Sequence, residues 1–358
     1  MIYSSVPALS ACNYRLSDRM TTLAFLGAAH IHTPNFVAKM QARTDMCTAW
    51  VWDHDLERAT ASAAKLGARP TTDLLEALPS DVDAVVVCTE TSRHETVVMS
   101  AIASGKHLFV EKPLGIAAAD AWRMQRAIDA AGVMFQTGFF TRGNPIYLHI
   151  KQLLQDGALG RITRIRHSNC HAGALRGWFD TQWRWMADPA QAGVGAFGDL
   201  GAHSLDLLLW LMGDVTAATA DIHVATGRYG DCDEYGEGLL RFANGATGSI
   251  AAGWVDVANP ATFLISGTEG VAHVTNGQLF IHCNAISGAD GKTPWVDLPP
   301  AWPHAFDQFL DALAARGTQD ERDALSALIT TREAAYGSAV MAALYQGARE
   351  SRWVAPTT

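Results

Sequence analysis

The feature that most constrains the fold is an alternation in the first third of the chain, where short apolar runs are separated by stretches with helical periodicity. Residues 23–26, 48–52, 84–88 and 107–110 are almost continuously apolar. Strands that are apolar on both faces are typical of a parallel sheet covered by helices on both sides. The pattern predicts an α/β fold whose first domain is a doubly wound parallel sheet.

The pattern changes after about residue 143. A single amphipathic helix is followed by segments in which apolar and polar residues alternate, which predicts an open, mostly antiparallel sheet in an α+β domain. The alternating segments are residues 162–166, 238–242, 247–251, 262–266 and 278–282. The Ala-rich, proline-free stretch 305–347 predicts helices that pack back toward the first domain.

We therefore expect a disordered extension or an over-extended start over residues 1–20. A dinucleotide-binding domain would span residues 21–142, and a domain for substrate binding and oligomerisation would span residues 143–358. At 358 residues, with 49% hydrophobic and 18% charged content, the chain has ample apolar material for two cores.

Charge and cysteine usage exclude several classes of protein. The net charge of -9 and the absence of a basic run argue against nucleic acid as a partner. No apolar run approaches the roughly 20 residues that span a bilayer, so we expect no membrane partner. The six cysteines show no metal-ligand spacing, which predicts reduced thiols, no metal site and a cytoplasmic location.

The turn after the first strand matches a phosphate-binding turn in part. Gly27 allows a tight turn, and the small Ala29 lets the backbone approach a pyrophosphate at the start of a helix. The third position of the glycine pattern is His32 instead of Gly. An ordinary turn is the alternative for this motif alone, and the departure suggests that His30 or His32 reaches the cofactor or the crevice.

Asp53 ends the second strand, where a carboxylate accepts hydrogen bonds from ribose hydroxyls and repels a 2′-phosphate. This residue favours NAD over NADP. The alternative is that Asp53 caps a helix, a common role for Asp.

Two further segments carry candidate chemistry. Lys112 follows a buried strand at the carboxyl edge of the parallel sheet and precedes Pro113, so it would point into the ligand crevice, where an ammonium can polarise a carbonyl. Asp199 and His203 are four residues apart, so on a helix they share a face, and an imidazole there suits removal of a hydroxyl proton. The alternatives are a surface lysine and a helix cap or core histidine.

Together these features resemble the glucose-fructose oxidoreductase/inositol dehydrogenase/MocA (Gfo/Idh/MocA) family. The resemblance is carried by the first turn, the element 111–113 (Glu-Lys-Pro), the spacing Asp-x-x-x-His at 199–203, the glycine run before it, Trp183-Arg184, and Gly-Thr-Glu-Gly at 267–270. It implies an N-terminal Rossmann domain and NAD(P)-dependent hydride transfer at a hydroxyl or carbonyl carbon of a sugar, inositol, glycoside or related polyol.

The resemblance also implies roles for single residues. His203 would act as the base, Asp199 would orient it, and Lys112 would anchor the reacting oxygen. The residues expected at the cofactor are Gly27, Ala29, His30, Ile31, Asp53, His54, Thr89, His94, Glu111, Lys112, Trp183 and Arg184. The residues expected at the substrate are Lys112, Arg142, His167, Trp178, Asp199, His203 and Tyr235.

Other functions stay open at this point. One alternative is an enzyme that cleaves glycosides through transient oxidation by NAD, and another is a non-catalytic sugar sensor on the same fold. Trp178 and its aromatic neighbours suit stacking on sugar C–H faces, or equally a core or a subunit interface. Relatives of this family commonly assemble through the C-terminal sheet, so we expect a homodimer or homotetramer.

Overall fold

The computed structural model describes residues 20–358. Apart from Met20, the extension expected over residues 1–20 lies outside the described residues. Among residues 20–358, no helix combines the length and apolar character needed to cross a membrane. The five cysteines in this part of the chain are all free thiols.

Six strands and four helices alternate in the first part of the chain. They are β1 (Thr21–Leu26), α1 (Thr33–Gln41), β2 (Met46–Trp52), α2 (Leu56–Leu66), β3 (Arg69–Thr71), β4 (Ala84–Val87), α3 (His94–Ala103), β5 (His107–Val110), α4 (Ala118–Ala131) and β6 (Phe135–Thr137). The strands are all parallel in the order β3-β2-β1-β4-β5-β6. All four residues of β4 are buried, as expected for a central strand covered by helices on both faces. The predicted doubly wound sheet is confirmed.

The second part of the chain forms a seven-stranded sheet. Its strands are β7 (Ile162–Cys170), β8 (Val215–His223), β9 (Tyr235–Phe242), β10 (Thr247–Gly253), β11 (Ala261–Gly267), β12 (Gly270–Thr275) and β13 (Gln278–Cys283). Their order is β13-β12-β11-β7-β10-β9-β8, and every pair is antiparallel except β7 with β10. The antiparallel sheet is confirmed, although the alternation did not predict β8 or β12. The Ala- and Thr-rich sequence of β8 has little contrast between its two faces.

Six helices flank this sheet or return to the first one. They are α5 (Pro145–Gln155), α6 (Pro189–Ala192), α7 (Ala196–Met212), α8 (Ala305–Ala314), α9 (Glu321–Ser326) and α10 (Thr331–Glu350). Helix α7 is buried along most of its length and packs on β7, β9 and β10. Helix α7 also packs closely against Met341 of α10 at Gly201, where an added Cβ would lie 3.1 Å from the Met341 side chain.

The C-terminal helices contact both halves of the molecule. Phe306 and Phe309 of α8 are fully buried in the same apolar cluster as Leu23, Phe36 and Phe109 of the first sheet and its helices. Burying each ring stabilises the fold by roughly 2–3 kcal/mol. Helix α10 packs against both α4 and β8. The division of the chain at residues 142 and 143 stays a prediction.

Candidate active site

The turn after β1 is shaped for a close backbone approach. Gly27 has a φ of 90°, and a Cβ at this position would lie 2.4 Å from Thr89 Cγ2, so a side chain fits neither the conformation nor the space. Helix α1 begins a few residues later with Pro34 in its first turn, and the start of a helix favours a bound phosphate. Among the described residues, the buried Thr89 hydroxyl has no hydrogen-bond partner. A backbone turn with a spare buried hydroxyl beside it fits the pyrophosphate end of a dinucleotide.

The Asp53 carboxylate is buried and already holds several donors. Oδ2 accepts a hydrogen bond from the Ala28 N–H (2.8 Å), and Oδ1 accepts one from the Asp55 N–H (2.9 Å). The Arg58 guanidinium spans both oxygens at 3.1 and 2.7 Å and also reaches Glu90 at 3.0 Å. Asp53 is therefore oriented toward the turn, and a ribose hydroxyl would share it with Arg58. The neighbouring Asp55, not Asp53, caps α2.

Lys112 and Asp199 meet across the boundary between the two sheets. The Lys112–Pro113 peptide is cis, and the Lys112 side chain is buried. Its ammonium donates to Asp199 Oδ1 at 2.6 Å, while Trp254 Nε1 donates to Asp199 Oδ2 at 3.2 Å. Burial alone would raise the pKa of the Asp199 carboxyl, but the Lys112 charge outweighs it and lowers the pKa to about 2. Asp199 is therefore an anion that keeps the ammonium in place.

No hydrogen bond joins the described side chains of Asp199 and His203, so the predicted orientation of His203 by Asp199 stays a prediction. Both oxygens of Asp199 bind other donors, and among the described residues His203 Nδ1 is buried without a hydrogen-bond partner. The His203 ring instead packs between Phe139 and Phe140, at centroid distances of 5.8 and 5.2 Å. Burial, helped by the nearby Lys112 charge, lowers the pKa of His203 well below its usual value. The imidazole is neutral at neutral pH and able to accept a proton.

These groups lie at one end of a cavity of about 420 Å³ between the two halves of the molecule. Five of the seven predicted substrate residues line it: Lys112, His167, Trp178, Asp199 and His203. Ile31, His32 and Phe140 line it as well. Both ring nitrogens of His167 are hydrogen-bonded. Nε2 pairs with the Tyr147 hydroxyl at 3.2 Å, and Nδ1 pairs with the Ser204 hydroxyl at 2.7 Å. Trp178 is 38% exposed, which leaves part of its indole face open to the cavity.

Arg142 and Tyr235 do not line this cavity, which corrects two predicted substrate contacts. The Arg142 guanidinium is buried and bonds Asp206 (2.6 Å) and Glu333 (2.6 Å), so its donors are used inside the protein. Tyr235 begins β9 on the exposed side of the sheet, where its ring lies 5.6 Å from that of His223.

The remaining cofactor candidates fall into two groups. His30, Ile31, Thr89, Glu111 and Lys112 lie around the turn or the adjoining end of β5. His54 is about one-third exposed beside the Asp53–Arg58 pair. His94 is buried, and its Nδ1 lies 3.2 Å from the Leu114 carbonyl oxygen, a contact inside the first domain.

Trp183 and Arg184 lie on the side of the second sheet. Trp183 packs on the apolar cluster of the second half. Arg184 donates to the Ala187 carbonyl at 2.7 Å and covers the Tyr229 ring, so its guanidinium is held within its own segment. Their roles at a cofactor stay predictions.

Sequence reasoning missed three groups that the fold brings to the site. Trp254 donates to Asp199 from the loop after β10, Arg58 holds Asp53, and Phe140 covers His203. Arg58 could have been found, since an arginine one turn into the helix after Asp53 can reach back to it. No local pattern marks Trp254, because its partner lies on a different element.

Comparison with known proteins establishes the class. Residues 21–139 match the oxidoreductase family with an NAD-binding Rossmann fold, and residues 147–273 match the GFO/IDH/MocA C-terminal domain. Since the two matches cover more than half of the chain, the protein belongs to the Gfo/Idh/MocA family of NAD-binding oxidoreductases. The predicted family, fold, hydride-transfer activity and NAD cofactor are confirmed.

Two relatives and one solved structure illustrate the match. Inositol 2-dehydrogenase 4 of Saccharopolyspora erythraea is 30% identical over 93% of this chain and 96% of that enzyme. Levoglucosan dehydrogenase of Pseudarthrobacter phenanthrenivorans is 28% identical over 53% of this chain and 54% of that enzyme, so this match spans about half of its length. A levoglucosan dehydrogenase structure with NADH and levoglucosan has a TM-score of 0.78 at 20% identity, covering 94% of this chain and 100% of that one. At this identity the structure shows a shared fold.

Proposed function

We propose that the protein interconverts a CH–OH group and a carbonyl on a polyhydroxylated small molecule, a sugar, inositol, glycoside or related polyol, with NAD as the hydride partner. The observation that carries this proposal is the meeting of Lys112, Asp199 and His203 at one end of the 420 Å³ cavity. Three groups predicted from two distant segments line the same cavity. Such convergence in a cavity is typical of a catalytic site.

The cavity lining favours a neutral substrate. Among the described residues that line it, Lys112 is the one Lys or Arg, and its charge is balanced by Asp199 at 2.6 Å. A substrate carboxylate or phosphate would find no second Lys or Arg in the cavity wall. Hydroxyl groups, by contrast, meet the imidazole, amide and hydroxyl groups of the wall, and the Trp178 face suits the C–H face of a sugar.

Lys112 is assigned the positioning of the reacting oxygen. Its ammonium has three donors, and one is fixed on Asp199, which leaves others for a substrate oxygen. In the direction of reduction this charge polarises the carbonyl, and in the direction of oxidation it favours the alkoxide that forms as the proton leaves. Asp199 and Trp254 act by positioning the ammonium.

His203 is assigned the proton transfer. Its pKa is well below the usual value because the ring is buried, so the neutral form is available to take the hydroxyl proton. The two phenylalanine rings pack against the imidazole and fix its position.

NAD, when bound, supplies the hydride acceptor or donor. The turn at residues 27–29, the Thr89 hydroxyl and the Asp53 carboxylate are the groups of this chain that would hold it. The buried Asp53 carboxylate disfavours the added charge of a 2′-phosphate, which supports NAD over NADP.

The test is the absorbance of reduced nicotinamide in both directions. Purified protein is mixed with NAD and a panel of sugars, inositols and glycosides, then with NADH and the corresponding ketones, and both series are repeated with the phosphorylated cofactor. NAD-linked turnover of one substrate class, absent from Lys112→Ala, is the expected result. Silence in both directions with NAD demonstrably bound would contradict the proposal and favour a sensor, or a glycosidase that recycles its cofactor.

The homodimer or homotetramer expected through the C-terminal sheet belongs to the same proposal. Leu239 and Tyr235 of β9 are 44% and 39% exposed on the open face of this sheet, and a second copy would cover them. Light scattering on the purified protein, compared with Leu239→Glu, tests it; a monomer at micromolar concentration would contradict it.

A further inference from the structure

Two histidines and one glutamate converge beneath the substrate cavity. His30 and His32 lie in the turn after β1, and Glu111 follows β5 directly. One ligand atom of each lies within 4.8 Å of the others. Glu111 Oε1 is 2.9 Å from His32 Nδ1 and 3.8 Å from His30 Nδ1. Among the described residues this is the one such group of three His, Cys, Asp or Glu side chains.

The Glu111 carboxylate is completely buried; its Oε1 is hydrogen-bonded to His32 Nδ1 at 2.9 Å, and among the described residues no Lys or Arg side chain pairs with it. Oε2 accepts the Lys112 backbone N–H at 2.8 Å, whereas the Lys112 ammonium bonds Asp199. Gly138 provides the space, since a Cβ there would lie 2.7 Å from Oε2. The centre thus holds two carboxylates against one ammonium. His32 and the Lys112 N–H are the hydrogen-bond partners of this buried carboxylate, and a further positive charge next to Glu111 would offset the cost of its burial.

The two imidazoles and the carboxylate together make up a metal-ligand set. His30 is 2% exposed, and its Nδ1 accepts the His32 backbone N–H at 3.3 Å, so this nitrogen carries a lone pair that now faces that N–H. Two imidazoles and one carboxylate are a common ligand set of catalytic zinc and of non-haem iron. Such a set disfavours Mg²⁺ and Ca²⁺, which prefer oxygen ligands.

We propose that His30, His32 and Glu111 form a binding site for one divalent transition-metal ion, of which Zn²⁺ is the first candidate. Around a tetrahedral ion with bonds of about 2.1 Å, ligand atoms lie about 3.4 Å apart. The separations of 2.9 and 3.8 Å lie on either side of this value, and small rotations of the imidazole rings would close the site. The Lys112 N–H orients Glu111, as outer hydrogen bonds do for metal ligands.

The position of the site gives the ion an open face. His32 is 30% exposed and lines the cavity together with Lys112, and its ring centroid is 6.4 Å from that of His203. A fourth ligand would therefore come from the cavity, as water or as an oxygen of a bound molecule. This inference is independent of the proposed reaction, since the site can hold an ion whether or not the enzyme turns over sugars.

The experiment measures metal binding directly. Untagged full-length protein is stripped with a chelator, titrated with Zn²⁺ by calorimetry, and desalted for measurement of bound metal by mass spectrometry, in parallel with Mg²⁺. We expect one Zn²⁺ and no Mg²⁺ per chain. We expect His32→Gln and Glu111→Gln to bind Zn²⁺ at least 100-fold more weakly, and His304→Gln to bind as the wild type.

His304 is the matched control because it stacks on Phe140 beside the same cavity but is not one of the three ligands. If Glu111→Gln fails to fold, His32→Gln and His30→Gln decide the matter, with circular dichroism as the check on folding. Retention of less than a tenth of an equivalent by the wild type, or unchanged binding in the ligand variants, would overturn the site. Neither result depends on NAD-linked turnover, so failure here is distinct from failure of the proposed reaction.

Discussion

Helix α7 carries two carboxylates, Asp199 and Asp206, that each meet a cation from the loops after β5 and β6. Lys112 bonds Asp199 and Arg142 bonds Asp206, both at 2.6 Å. The two pairs lie about two helical turns apart. They look equivalent in the sequence, yet Lys112 and Asp199 line the proposed substrate cavity, whereas Arg142 and Asp206 are buried and bonded within the protein.

The difference lies in what completes each pair. Arg142 uses its remaining donors on Glu333 of α10, so its charge and hydrogen bonds are satisfied inside the protein. Lys112 keeps donors free toward the cavity, and the neighbouring His203 has an unpartnered nitrogen. Incomplete satisfaction of buried polar groups costs stability, and it persists where a ligand completes the set. The comparison teaches that an ion pair contributes to stability when a further protein group satisfies its cation, as Glu333 does for Arg142. It is available for catalysis when the cation faces a cavity, as Lys112 does.

The largest effect is expected at the Lys112 end. Lys112→Ala should reduce kcat/KM by at least about 1000-fold, because the reacting oxygen loses its positioning charge. Its thermal stability should change less than that of an Arg142 variant, since cavity water can hydrate Asp199. Steady-state kinetics and thermal melts measure both, with Lys151→Ala as a control whose ammonium bonds the Trp210 carbonyl instead. Turnover within tenfold of the wild type would contradict the assignment.

The opposite outcome is expected at the Arg142 end. Arg142→Met leaves Asp206 buried without its cation and should lower the free energy of unfolding by about 3–5 kcal/mol. KM for NAD and substrate should stay within about twofold at temperatures where the variant is folded. Denaturant unfolding gives the first value. Arg332→Ala, which breaks an exposed pair with Asp214, should cost at most about 1 kcal/mol.

A pH profile sharpens the contrast at His203. The base must be neutral to accept a proton, and its pKa is well below 6.5, so falling pH should protonate it only well below that value. We expect the acid limb of kcat/KM to lie below pH 6.5 and His203→Gln to lose about 100-fold in activity. An acid limb at or above pH 6.5 that disappears in the variant would show that burial does not lower the pKa of His203.

The smallest effect is expected at the third pair, Asp53 with Arg58. Asp53→Ala should weaken NAD binding about tenfold, the worth of one charge-assisted hydrogen bond to a ribose hydroxyl, and weaken NADP binding less. Fluorescence titration with NADH and NADPH measures this. Equal losses for both cofactors would show that the Asp53 carboxylate has a structural role and does not bind the ribose.

Much of the site was open to prediction because it follows strands and one helix. Lys112 directly follows a strand of a parallel sheet, so it had to emerge at the ligand edge, and helical periodicity placed Asp199 and His203 on one face. Arg142 was misassigned because a buried arginine and a substrate arginine have the same local sequence. Lys112 and Trp254 were not predicted as partners of Asp199, because a spacing of four residues shows only which side chains share a helix face.

By itself, the sequence determined the two sheets, the family and the three candidate catalytic groups, since periodicity and local motifs depend on neighbours along the chain. The tertiary structure alone decided that Lys112 and Trp254 hold Asp199, that Arg142 is enclosed by Asp206 and Glu333, and that Glu111 meets His30 and His32. The physical reason is that a hydrogen bond or ion pair depends on which surfaces fold against each other. The group that completes an ion pair commonly comes from an element far away in the sequence, as Glu333 and Trp254 do here.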